Sequence, residues 1–179
     1  MIKGIKPKTA INAILGQYLA EKEFVFDIAH GSEAYFYKRI YNESSQQLCV
    51  EIRWAPEFMV KEYMQFKDYF PDQQWEAYQH SVNIRLNSIS ADKTYRIAMD
   101  VHGLLKHYKY PELRPHYDRV PPEILDARQN LYKKEPLLNG YFITHEQFKQ
   151  RLLALRQLME EYGMPFLENE SDWPIKGKV

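Results

Sequence analysis

The chain has 179 residues, of which 24 are Lys or Arg and 24 are Asp or Glu, so its formal net charge is zero. Hydrophobic residues make up 45% and charged residues 27%, with 7 Gly and 10 Pro; this composition excludes collagen-like, low-complexity and disordered chains. Zero net charge supplies no general attraction for a phosphate backbone or an anionic membrane, and a single cysteine, Cys49, excludes an intramolecular disulfide framework and a cysteine zinc cluster.

A chain of this size buries roughly 70% of the surface its unfolded form exposes, enough for one sizeable core. A single α+β domain over residues 1–168 is expected, followed by a loose tail over residues 169–179. No stretch approaches 18 consecutive apolar residues, and no apolar segment follows the charged start. Neither a membrane span nor a secretory signal is read, and a cytoplasmic location is expected.

Over residues 9–23, Ile11, Ile14, Leu15, Tyr18 and Leu19 recur at i, i+3, i+4, i+7 and i+8, which predicts a helix with one apolar face. Phe24, Phe26, Ile28 and His30 then alternate with Val25, Asp27 and Ala29, a strand pattern. Gly31-Ser32 makes a turn, and a tyrosine-rich second strand runs over residues 33–41. A polar turn is expected over residues 42–46. Leu48, Val50, Ile52 and Trp54 alternate with Cys49, Glu51 and Arg53 to give a third strand. Connections this short permit only antiparallel pairing.

After Pro56, which suits a first helical turn, Met59, Tyr63, Phe66 and Phe70 keep helical spacing, so residues 57–70 are read as helix with strand as the alternative. Val82, Ile84 and Leu86 alternate with polar residues as a fourth strand. Ser90 is the expected N-cap of a helix over residues 91–108, with Ile97, Val101, Leu104, Leu105 and Tyr108 on its apolar face. Asp92 in its first turn and Lys106 with His107 in its last suit the helix dipole. Pro111, Pro115, Pro121 and Pro122 break regular structure, and a short helix over residues 122–134 follows. Thr144-His145-Glu146-Gln147 is a capping box. It opens a helix over residues 145–162 that carries Phe148, Leu152, Leu155, Met159 and Tyr162, widened by Leu153 and Leu158, and that Gly163 and Pro165 are expected to end. The pattern predicts an α+β fold: an antiparallel sheet of about four or five strands with the N-terminal and C-terminal helices packed on one face. This layout resembles that of small accessory domains, some of which neutralise partner proteins; the resemblance implies a binding role and assigns no residue.

Three constellations could carry function. The proline-rich segment holds Tyr108, Tyr110, Arg114, His116, Tyr117 and Arg119. Tyr and Arg dominate interface hot spots, and prolines reduce the entropy lost on binding, so these six are the expected partner-binding residues and the partner is expected to be another protein. Tyr35, Tyr37, Arg39 and Tyr41 share one face of the second strand, with Arg53 expected beside them; such a face, if open, could stack unpaired bases of a single-stranded nucleic acid. His116 and Asp118, with Arg114 or Arg119 holding an anionic substrate, would be the acid/base pair of a hydrolase. The histidines His102 and His107 lie five apart, roughly 140° around a helix, which suits no metal, so neither metal nor cofactor is expected. Cys49 is read as an inert thiol, with Arg53 the cation that would activate it otherwise. The favoured expectation is a small intracellular protein-binding module without enzymatic activity.

Overall fold

The computed structural model describes residues 5–66, 78–89, 94–109, 135–169 and 176–178, and for residues 94–99, 107 and 176–178 it describes the backbone alone. Five strands follow one another in space as they do in the chain: β1 (Val25–His30), β2 (Ala34–Tyr41), β3 (Ser44–Arg53), β4 (His80–Ile89) and β5 (Thr94–Asp100). All neighbours are antiparallel. The two-residue β6 (Tyr141–Phe142) pairs with the start of β4, the part that β5 leaves open. A short β7 (Lys176–Lys178) extends the sheet beyond β5, so a stretch expected to be loose tail contributes a strand.

The β2–β3 turn is two residues, Asn42 and Glu43, with φ of 46° and 64°. Positive φ at both central positions gives the hairpin turn whose twist matches that of the strands. In β1 the register slips between Phe26 and Ile28, a bulge that leaves Asp27 beside Lys38 at 2.8 Å.

Helix α1 occupies residues 7–21 and passes through one π-helical turn, Asn12–Gly16. Its stripe of Ile11, Leu15, Tyr18 and Leu19 is buried as the spacing predicts. Helix α2 (Glu57–Phe66) follows β3 and buries none of its side chains. Helix α3 (Val101–Lys109) buries Val101, Leu104 and Leu105. Helix α4 spans residues 145–168. Its capping box forms: the Thr144 hydroxyl accepts the Gln147 amide at 3.2 Å, while Gln147 Oε1 accepts the Thr144 amide at 3.2 Å. Phe148, Leu152, Leu155, Leu158 and Met159 face inward, whereas Leu153 points to solvent. Helices α1, α3 and α4 pack on one face of the sheet, over Tyr35, Tyr37, Leu48, Val50, Ile52, Val82, Ile84 and Leu86 in one core. Each fully buried aliphatic there contributes roughly 1.5–3 kcal/mol.

Two expected elements come out differently. The helix over residues 91–108 begins only at Val101; its first half is β5. Thr94, Tyr95 and Ile97 are strand formers, and they complete a sheet whose fourth strand would otherwise end the ladder. Asp100, not Ser90, opens the helix, accepting the Gly103 amide at 2.6 Å. Gly163 and Pro165 do not end α4, which continues to Glu168. Pro165 offers no N–H and would crowd the preceding turn. The π-helical turn Met159–Gly163 lies directly before it and widens the helix there. Ser90 and the expected helix over residues 122–134 lie outside the described residues.

Candidate interaction surface

The register of β2 on β3 decides which side chains face the helices. Tyr35 pairs with Val50, Tyr37 with Leu48 and Arg39 with Gln46, so the tyrosine face is the covered one. Tyr35, Tyr37 and Arg39 are all buried. Burial raises the phenol pKa of Tyr35 and pushes that of Tyr37 up to about 12, and the Tyr37 hydroxyl donates to Asn12 Oδ1 of α1 at 3.4 Å. The base-stacking reading required this face open, and helices lie across it. Arg53 is not beside the tyrosines at all; it is exposed on the opposite face and donates to the Gln79 carbonyl at 2.9 Å. A turn over residues 42–46 would have brought Arg53 opposite Tyr35. The two-residue turn shifts the pairing by three, and an odd shift exchanges the faces.

Arg39 is a structural hub. Its Nε donates to Gln46 Oε1 at 2.8 Å, one terminal nitrogen donates to the Lys22 carbonyl at 3.0 Å, and the other meets Glu168 Oε1 at 3.3 Å. Its guanidinium stands between the rings of Phe24 and Tyr41, 4.8 Å and 4.6 Å from their centroids. Gln46 in turn donates to the Leu167 carbonyl at 2.6 Å. All three guanidinium nitrogens of this buried cation donate to the protein, so its role here is structural.

The other face of the sheet carries the candidate surface. Ile40 is 69% exposed, Val25 64% and Ile28 50%, all on the edge strand β1 and its neighbour β2. Ile28 pairs with Phe36, Phe36 with Cys49 and Cys49 with Arg85, one rung across four strands. Two ion pairs lie on this face, Lys38 with Asp27 and Arg85 with Glu51, each at 2.8 Å. The surface therefore carries aliphatic side chains along β1 and β2 with one ion pair among them, and a second pair toward β4. Cys49 forms its floor. Burial, then Glu51, pushes the thiol up to about 12, and the cation opposing them is Arg85 rather than Arg53. A thiol so placed stays protonated and unreactive at neutral pH.

Of the proline-rich segment, Tyr108 is 45% exposed at the end of α3, its ring stacked on Tyr162 at 6.2 Å. Tyr110, Arg114, His116, Tyr117, Asp118 and Arg119 lie outside the described residues. His102 is deeply placed beside the Leu137 backbone, and burial pushes its pKa down to about 4. Among the described residues no group of three or more His, Cys, Asp or Glu could hold a metal ion, and no helix is long and apolar enough to cross a membrane. The alternation of Phe36, Lys38 and Ile40 marks one side of β2, but only the register shows that this is the side opposite the described core helices.

Fold and surface together define a one-sided sheet domain: an antiparallel meander, helices on one face, an aliphatic patch on the other. Comparison with protein-family models, with curated proteins and with solved structures finds no match to this chain.

Proposed function

We propose that this chain is a cytoplasmic protein-binding module that docks a partner on the uncovered side of its sheet, along β1 and β2. The observation that supports this reading is the exposure of Val25, Ile28 and Ile40 on adjacent strands. Three large aliphatic chains exposed on one face of two paired strands would give a partner apolar contacts on either side of the Asp27–Lys38 pair. Removing one such side chain from water contributes roughly 1.5–3 kcal/mol, so the patch supplies affinity. The flanking Asp27–Lys38 and Glu51–Arg85 pairs favour orientation over strength. Tyr108, with residues 110–119 after it, is the second surface to compare.

The test is affinity capture from source-cell lysate, with and without nuclease treatment, using the full chain, its Ile28→Glu/Ile40→Glu double variant and Tyr108→Ala. A partner held by the native chain should be lost about tenfold or more from the double variant, with the melting temperature unchanged. Equal capture by native chain and double variant would sink the sheet-face reading. Selective loss with Tyr108→Ala would move the surface to the segment after α3, and capture that disappears on nuclease treatment would favour a nucleic-acid ligand.

A further inference from the structure

His80 opens β4 with 2% of its surface exposed. Its ring stands edge-on to Trp54, with centroids 5.1 Å apart, and tilted against Phe142 at 5.4 Å. Its Nδ1 accepts the backbone N–H of Ala55 at 2.9 Å. A ring nitrogen that accepts carries no proton, so this neutral imidazole is the Nε2–H tautomer. Ala55 belongs to the three-residue connector, residues 54–56, between β3 and α2. The connector has a second tie, from the Trp54 indole to the Ser32 carbonyl at 3.1 Å. Helix α2 has no fully buried side chain, and the connector leads directly from β3 into its first turn.

Protonating Nδ1 would set one N–H against another at 2.9 Å. Burial first, and among the described residues the positive charge of Arg53, lower its pKa. The only relief open to the protonated ring is to give up Ala55.

We propose that His80 is an acid-operated latch on the β3–α2 connector: the neutral ring holds Ala55, and protonation releases Ala55 and the start of α2 while the sheet stays folded. The test uses the full chain and nuclear magnetic resonance, following the His80 ring nitrogens and amide exchange from about pH 7.5 to about pH 5. After correction for intrinsic exchange, Ala55 should lose protection roughly tenfold or more as Nδ1 gains its proton, while Leu48 and Ile84 keep theirs. His80→Phe keeps an aromatic ring without an acceptor, so Ala55 should be weakly protected there at every pH. Three outcomes would overturn the latch: Ala55 protection that survives titration of the ring, loss of protection at Ala55, Leu48 and Ile84 together, or a ring that stays neutral until the sheet unfolds. Those readings need only the native chain, so they decide even if His80→Phe does not fold.

Discussion

At the scale of single residues, Gly140 and Gly163 show how the identity of a neighbour sets the cost of one methyl group. A Cβ at Gly140 would lie 2.5 Å from the Val82 carbonyl oxygen and 3.0 Å from His102 Cε1. The Val82 amide already donates to the Gly140 carbonyl at 3.0 Å, so the two backbones are tied at that approach and neither can withdraw. A Cβ at Gly163 would lie 2.6 Å from Met159 Sδ, 3.2 Å from Met159 Cε and 3.3 Å from Leu86 Cδ1, all atoms of side chains rather than backbone, and the methionine is the flexible one. Alanine also favours a helix over glycine by about 1 kcal/mol. Gly140→Ala should therefore cost about 1–3 kcal/mol, and Gly163→Ala should be close to neutral. Urea midpoints at unchanged slope measure both; equal midpoints would mean that the Gly140 and Val82 backbones can separate at little cost.

At the scale of elements, Arg39 binds four of them: its own strand, β3 through Gln46, the end of α1 through Lys22 and the end of α4 through Glu168. Arg39→Met keeps length and apolar bulk but leaves Gln46 Oε1 and the Lys22 carbonyl without their donor. Its cost should be about 3 kcal/mol. Glu168 has a third of its side chain in water, so Glu168→Gln should cost under about 1 kcal/mol. Denaturant unfolding of both variants checks the ranking, and a Glu168→Gln loss as large as that of Arg39→Met would make the ion pair, rather than the hydrogen bonds, the source of the hub's strength. Much at this scale was legible in the chain. The α1 stripe, strands β1 to β4 and the Thr144–Gln147 box each carry a strong local signal. β5 was not legible, because Ile97, Val101, Leu104 and Leu105 keep helical spacing across a strand-to-helix boundary that only the Asp100 cap marks. The covered face was not legible either. Tyr35, Tyr37 and Arg39 put two apolar chains and a cation on one side of β2; Phe36, Ile40 and Lys38 put the same on the other. The tie is broken only by a register that depends on the length of the turn at Asn42 and Glu43.

At the scale of the whole molecule, acid should act on stability before the carboxylates titrate. The folded pKa of His102 lies at about 4, below the ordinary 6.5, chiefly because burial disfavours its charged form. The unfolded chain therefore binds the proton first. The stability tied to neutral His102 is complete above pH 6.5 and is lost as pH falls from there toward 4. Between pH 7 and pH 5 this amounts to about 2 kcal/mol. Unfolding free energies across that window should fall, well above the usual carboxylate range, and a flat profile would show that His102 is hydrated in the native fold.

The meander has one more consequence, for a chain still being made. Strands β1 to β4 can pair as each leaves the ribosome, since every neighbour in space is the next strand in sequence. Their other roof, α4, arrives late, and the bond from Arg39 to Glu168 closes a separation of 129 residues. Until then Tyr35, Leu48 and Ile84 are only partly sheltered, by α1. The nascent sheet thus has one face wet and the other half-roofed, and the span of synthesis between β4 and α4 is when its apolar side chains are most open to water.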